Sequence, residues 1–304
     1  MKISIGIIGM GSVGSSVAIS ILQNGICSKL LLADARGGKA EGEAMDMRHG
    51  SAFFPSAEIT ACDISEMLDC QAIAVTAGRG GKEGESRLDL LKDNIDIVKT
   101  ISSSLKGYKG ILIVISNPVD VMTYYYQKFT GMPASRVIGT GTLLDSVRLR
   151  EIIGKKIKIA PKSVHAQVIG EHGDSELVVW SKVSVGGMEI REWKDWRTEY
   201  EAEIGEEVRN AAYEVIKRKG TTNHAIGLVT ASLLKWILRG DRRIATISSV
   251  INGAYGLKDI ALSLPCLISF DGIEVVLEPA LEDNEMEKLK SSAAVIRKAI
   301  DSVN

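Results

Sequence analysis

A chain of 304 residues, 45% hydrophobic and 25% charged, can bury the core of one large or two ordinary domains, which excludes a disordered or repeat protein. Thirty-seven basic residues against 38 acidic ones leave a formal charge of -1, so no global field recruits nucleic acid or an anionic membrane, and an anionic ligand must meet a local cationic cluster. The four cysteines, Cys27, Cys62, Cys70 and Cys266, lack the paired spacing of a zinc site and are too few for a disulfide framework; they read as buried or half-buried thiols of a reducing cytoplasm, and no metal is expected.

The N-terminal run is broken by glycines before any small-residue cleavage site, so it does not read as a signal peptide, and no transmembrane span is apparent. Residues 3–8 predict a strand and residues 12–23 a helix with small and apolar residues on one side. Residues 29–33, 71–76 and 110–115 are nearly continuous apolar runs, the pattern of parallel strands covered on both faces, and helical segments at 40–49 and 87–105 suit the crossovers. Residues 1–139 therefore read as a doubly wound, Rossmann-type α/β domain. After residue 140 the character changes: a helix at 143–153, strands at 164–169 and 177–184, and long amphipathic helices at 198–218 and 222–238. In the last helix Met286, Leu289, Ala293, Ile296 and Ile300 step by three and four residues and make one apolar stripe, a packing feature. Residues 140–304 read as a second, α+β domain that binds substrate.

Between the first strand and helix lies Gly9-Met10-Gly11-Ser12-Val13-Gly14. In that position Gly9, Gly11 and Gly14 serve a tight turn, a close approach of pyrophosphate and helix-sheet packing, with the pyrophosphate at the helix N-terminus. Asp34 ends the second strand about twenty residues further on, where a carboxylate accepts hydrogen bonds from ribose hydroxyls. Its charge also repels a 2'-phosphate, which predicts NAD rather than NADP, a preference that nearby Arg36 and Lys39 soften.

Beyond this fingerprint, ordered motifs run through the chain: Gly42 to Asp46 (GEAMD), Val75 to Gly78 (VTAG), Glu85-Ser86-Arg87, Ser116 to Asp120 (SNPVD), Gly139 to Asp145 (GTGTLLD) and Gly170 to Asp174 (GEHGD). In these the chain resembles the L-lactate/malate dehydrogenase family over nearly its whole length, and GTGTLLD is most similar to the lactate and 2-hydroxyisocaproate dehydrogenases. The resemblance implies an NAD-dependent oxidoreductase that interconverts a small 2-oxo acid and its L-2-hydroxy acid in the cytoplasm, with pyruvate and L-lactate as the leading pair. It implies His172 as the acid/base, Asp145 as its orienting carboxylate and Arg87, carried on a lid, as the group that polarises the carbonyl. Arg148, Asn117, Thr222 and the lid residue Gly81 then belong to the substrate pocket, while Thr76, Ala77, Gly78, Asn117 and Ile226 join the glycines and Asp34 around the cofactor. A homotetramer or homodimer is implied, and Arg150 and His165 match positions that bind fructose 1,6-bisphosphate between subunits of allosteric bacterial relatives.

The chemistry of these residue types agrees. Imidazole titrates near neutrality, and a guanidinium holds a carboxylate through two parallel hydrogen bonds. Asp145 and Arg148, three apart on a predicted helix, equally read as an intrahelical salt bridge on a solvated face. By itself His172 could be a loop residue binding backbone, and the glycine-rich stretch 79–87 a solvated surface loop. His224, in a position where the family commonly has an aromatic residue, is assigned no role. Malate dehydrogenases carry an arginine and lactate dehydrogenases usually a glutamine where this chain has Gly81, so oxaloacetate is expected to be a poor substrate and bulkier 2-oxo acids to be tolerated. A dinucleotide-binding protein without turnover is the remaining alternative.

Overall fold

In a computed structural model, which describes residues 2–36, 38–80 and 86–303, the apolar runs of the first half are parallel strands. They are β1 (Ser4–Ile8), β2 (Lys29–Ala33), β4 (Ala72–Val75) and β5 (Ile111–Val114), numbered in chain order with two short strands the pattern did not predict, β3 (Glu58–Ala61) and β6 (Val137–Gly139); all six are hydrogen-bonded in the order β6-β5-β4-β1-β2-β3. Helices α1 (Ser12–Gln23), α2 (Lys39–His49), α3 (Arg87–Ser104) and α4 (Val119–Thr130) return the chain between strands. Strand order reverses beside β1, whose neighbours are β2 and β4, and the crevice at such a reversal is where a doubly wound sheet binds ligands.

The second half begins with α5 (Leu143–Ile157). Where single strands are expected at 164–169 and 177–184, the backbone makes short pairs broken by turns: β7 (Val164–His165), β8 (Val168–Ile169), β9 (Leu177–Val178), β10 (Ser184–Val185) and β11 (Met188–Glu189). They form a three-stranded and a two-stranded sheet beside α6 (Glu199–Lys219). Trp180, Trp193 and Trp196 pack there against Leu149, Ile153, Val164 and Val208. Helix α7 (His224–Arg239) starts two residues later than its sequence pattern, so Thr222 lies in the turn before it.

Two long strands and a shorter third then leave this half and join the first. β12 (Arg243–Asn252) pairs antiparallel with β6 through Ser248 and Gly139, and β13 (Lys258–Ser269) and β14 (Gly272–Val276) follow, completing a nine-stranded mixed sheet. Its central residues have covered faces on both sides. One carries Ile73, Leu112 and Leu262 under α3, α4 and the last helix, α8 (Asp283–Asp301); the other carries Ile5, Ile113 and Ile247 under α1 and α7. Leu289, Ala293, Ile296 and Ile300 of the expected α8 stripe are buried in the first of these cores, and Met286 is half-buried at its margin. All four cysteines are reduced and buried or half-buried. Among the described residues no helix is long and apolar enough to cross a membrane.

Candidate active site

The cofactor cradle follows from three glycines with different constraints. Gly9 has φ +98°, and a Cβ there would lie 2.6 Å from the Ala77 nitrogen, so a side chain is excluded by both conformation and space. A Cβ on Gly14 would lie 2.0 Å from the Gly9 carbonyl oxygen, the contact that lets α1 sit against β1. Gly11 is the reverse case: a Cβ there meets nothing within 4 Å, which leaves clear space in front of the first turn of α1. Among the described residues no side chain caps that turn, so its amides face the space as donors for an anion. Thr76 Oγ1 donates to the Gly9 carbonyl at 2.6 Å and fixes the turn from the neighbouring strand.

Asp34 closes the far end. Its Oδ2 accepts from the Met10 amide at 2.7 Å and its Oδ1 from the Arg36 amide at 2.9 Å and the Arg36 Nε at 3.3 Å. Burial opposes its charge, but the Arg36 and Met10 hydrogen bonds and the Arg36 guanidinium prevail and hold the carboxyl below its ordinary range. A cavity of about 900 Å³ runs from Asp34 and Arg36 past Gly9 and Gly11 to Thr76, Ala77 and Gly78. A dinucleotide fits this cradle: a carboxylate at one end, a glycine gap before a helix N-terminus in the middle, and an elongated space joining them.

On the other side of the sheet's carboxyl edge, His172 lies in the Gly170–Glu176 loop with its Nδ1 2.6 Å from Asp145 Oδ2. Asp145, in the first turn of α5 and buried, uses its other oxygen to accept from Arg148 Nη1 at 2.8 Å. The Asp145/Arg148 salt bridge allowed by spacing does form, but it is buried beside the histidine rather than solvated: the Arg148 side chain is 17% exposed. Burial alone would lower the His172 pKa; the Asp145 charge and hydrogen bond, helped by Asp120 and Glu176, outweigh it and raise the imidazole to about 9. Burial likewise opposes the charge on Asp145, and His172 and Arg148 together keep that carboxyl below its usual range. The constellation is a protonated imidazole with its Nδ1 side fixed, next to a half-buried guanidinium.

Several contributors were assigned no role from the sequence. Asp120 on α4 is buried and accepts from the His172 amide at 2.7 Å through Oδ2 and from Ser248 Oγ on β12 at 2.6 Å through Oδ1, which ties the histidine's backbone to the central sheet. The Glu171 amide donates to Ser292 Oγ on α8 at 2.7 Å. The buried carboxamide of Asn94 accepts from the Arg79 amide and donates to the Arg79 carbonyl, anchoring the chain where it leaves the cofactor edge. Asn223 Nδ2 donates to Ser16 Oγ at 2.7 Å and joins the start of α7 to α1. Asp120 belongs to a quoted motif, yet its partner Ser248 lies 128 residues away, so only the fold could pair them.

Asn117 is exposed at the end of β5, its Oδ1 accepting from the Val119 amide at 3.3 Å. Thr222 and Ile226 flank the Asn223 anchor, both half-buried, with Ile226 packed at the edge of the core beneath α1. His224 is exposed. Arg87 is the first residue of α3, which Ser86 caps by accepting from the Asp89 amide; the Arg87 side chain and Gly81 lie outside the described residues. Arg150 Nε donates to the Ala166 carbonyl at 3.0 Å, next to the exposed His165.

Comparison with known proteins bears on this geometry directly. The family profile described as "lactate/malate dehydrogenase, NAD binding domain" matches residues 2–139, and that described as "lactate/malate dehydrogenase, alpha/beta C-terminal domain" matches residues 142–304. The chain belongs to the lactate/malate dehydrogenase family. It is thus an NAD-dependent 2-hydroxy-acid dehydrogenase, built on a Rossmann domain and an α/β C-terminal domain. Among its relatives, the L-lactate dehydrogenase of Synechococcus sp. (strain JA-3-3Ab) is 41% identical over 300 residues, 98% of each chain. That of Fervidobacterium nodosum is 42% identical over 314 residues, covering 100% of this chain and 98% of the relative. The crystal structure of a minor L-lactate dehydrogenase from Enterococcus mundtii superposes with a TM-score of 0.97 at 35% identity, covering 100% of this chain and 99% of the other.

Proposed function

We propose that this dehydrogenase reduces pyruvate, or a closely related 2-oxo acid, to the L-2-hydroxy acid with NADH, the reaction named for its L-lactate dehydrogenase relatives. The observation that carries the reading is the His172–Asp145–Arg148 cluster, in which one buried carboxylate holds an imidazole through one oxygen and a guanidinium through the other. When bound, the reduced nicotinamide supplies the hydride. His172, charged through the neutral range and fixed at Nδ1, donates the proton from Nε2 to the substrate carbonyl oxygen. Asp145 stabilises the imidazolium before transfer and keeps the ring in one tautomer after it. Arg148 Nη1 is held by Asp145, and its free edge receives the substrate carboxylate. Arg87 polarises the carbonyl from the lid, and Asn117, Thr222 and Ile226 complete the pocket between substrate and nicotinamide. The dinucleotide takes Gly9, Gly11, Gly14, Asp34 and Thr76 to Gly78. In this division residues 1–139 hold the cofactor and residues 140–304 supply the acid/base and the clamp, in a cytoplasmic homotetramer or homodimer.

Gly80 and Gly81 favour a second reading of the substrate range. Without a lid side chain there is no cation for a second carboxylate and extra room for a longer side chain, so 2-oxobutyrate, 2-oxoisocaproate or phenylpyruvate should match or exceed pyruvate, with oxaloacetate poor. A panel of 2-oxo acids assayed with NADH tests both readings, and Gly81→Arg should raise oxaloacetate turnover relative to pyruvate. A natural preference for oxaloacetate, or an unmoved ratio in the variant, overturns them. The regulatory reading of Arg150 and His165 is supported by their adjacency through Ala166. It predicts that fructose 1,6-bisphosphate lowers the pyruvate KM or shifts the oligomer distribution.

A further inference from the structure

The loop that carries His172 also carries Glu176, which no part of the reaction above uses. Glu176 is 7% exposed, and its Oε1 has no protein hydrogen-bond partner among the described residues. A Glu176 oxygen lies within 4.8 Å of both an Asp145 oxygen and a His172 ring nitrogen. Charged groups face it from each side: Asp145 and Arg148 on α5, His172 in its own loop and Arg209 on α6. Asp120 on α4 stands behind the His172 amide, and Asp174, nearer the surface, accepts from Tyr213 of α6.

An ionised carboxylate without a partner is costly to bury, and two carboxylates this close resist ionising together. We propose that Glu176 is a positioning residue that sets the charge of the substrate pocket, staying an uncharged carboxylic acid while substrate binds. With Glu176 neutral, the cations of His172, Arg148 and Arg209 outnumber the carboxylates of Asp145 and Asp120, and the surplus positive charge attracts a monoanionic 2-oxo acid. Ionisation of Glu176 cancels that surplus and places a negative group in the same pocket. The inference rests on the 2-oxo-acid reading of the site and names a pH control on it. Burial and then the Asp145 charge raise the Glu176 carboxyl to about 8, with His172, Arg148 and Arg209 pulling the other way, so the change falls at mildly alkaline pH. The sign is that tight substrate binding is present below that value and fades as pH rises through it.

The test is the pH dependence of the pyruvate KM and kcat in the wild type, Glu176→Gln and Glu176→Asp, with thermal unfolding to verify that each is folded. In the wild type the KM should rise about tenfold between about pH 7 and pH 9, since only the fraction with neutral Glu176 binds well, while kcat moves less. Glu176→Gln should remove most of that rise, and Glu176→Asp should keep an ionisation. A titration of the wild-type glutamate side chains by 13C NMR provides a reading independent of the variants, with one carboxyl expected to ionise near the KM transition. Superimposable wild-type and Glu176→Gln profiles, a parallel loss at every pH, or the absence of an alkaline carboxyl titration would overturn the proposal alone. No 2-oxo-acid reduction by the wild type at any pH would overturn the functional reading beneath it.

Discussion

One oxygen of Asp145 holds His172 and the other holds Arg148, so a single buried residue orients both the proton donor and the anion clamp. Residues with such shared duties should fail differently. His172→Asn keeps the cofactor cradle untouched, and we expect NADH binding by fluorescence titration to remain within a few-fold while kcat for 2-oxo-acid reduction drops by about 10² to 10⁴. Wild-type turnover in the variant would end the assignment. The raised imidazole pKa gives a directional prediction in the parent enzyme. With His172 near 9, the proton donor is fully present at neutral pH and is lost as pH rises through that value. Reduction at saturating substrate should therefore decline on the alkaline side, whereas oxidation of the 2-hydroxy acid, which needs the neutral ring, should gain. A kcat profile for reduction that is flat from neutral pH to about pH 10 contradicts this.

At the scale of elements, the pocket depends on how closely α7 approaches α1. Gly227, in the first turn of α7, is buried, and a Cβ there would come within 2.7 Å of the Ser16 carbonyl oxygen and 2.9 Å of the Ser16 Cβ. Those partners cannot swing aside, since the carbonyl belongs to α1 itself. Gly227→Val should push the helices apart, lowering the stability by about 1 to 3 kcal/mol and the Tm with it. It should also loosen the Asn223–Ser16 hydrogen bond that aligns Thr222 and Ile226 with the glycine turn, so the KM for substrate should rise more than the affinity for NADH falls. A variant with an unaltered Tm shows that the contact relaxes freely. The histidine loop is held instead by three separate elements, through Asp120 on α4, Asp145 on α5 and Ser292 on α8. This is the support expected for a group whose ring must keep one orientation through the reaction.

On the scale of the whole molecule, the sheet is shared between the two halves of the chain. β6 is the last strand of the parallel set, and its outer edge is covered by β12 from the second half, while α8 packs on the same face as α4. A fragment of residues 1–139 would expose that edge and the face of α4 on which Tyr125 donates to the Ile300 carbonyl of α8. We expect it to aggregate or to remain without cooperative unfolding and without measurable NADH binding, although it contains the glycine turn and Asp34. A monomeric fragment with a sharp thermal transition and NADH affinity near that of the full chain would refute this. The domain division at residue 139 is thus proposed for chemical roles rather than for independent folding.

Local patterns were enough for β1, β2, β4 and β5, for most of the helices and for the glycine turn, because burial on both faces leaves an uninterrupted apolar run and a pyrophosphate site demands glycine at set intervals; the short strands β3 and β6 and the helix α4 were not predicted. The pattern around β12 to β14 was not recognised, since long strands that complete another unit's sheet announce no partner in their own sequence. The site divides in the same way. The order of motifs was sufficient for His172, Asp145 and Arg148 as candidates, and composition for the absence of a recruiting field. Only the tertiary structure decided that the Asp145/Arg148 pair is buried beside the histidine rather than solvated, that Asp120 and Ser248 hold its backbone, and that Glu176 lies next to it with an oxygen that finds no hydrogen-bond partner among the described residues. The reason is physical: the strength of a charge and the cost of an unpaired oxygen depend on what surrounds them, and those surroundings come from segments far apart in the chain.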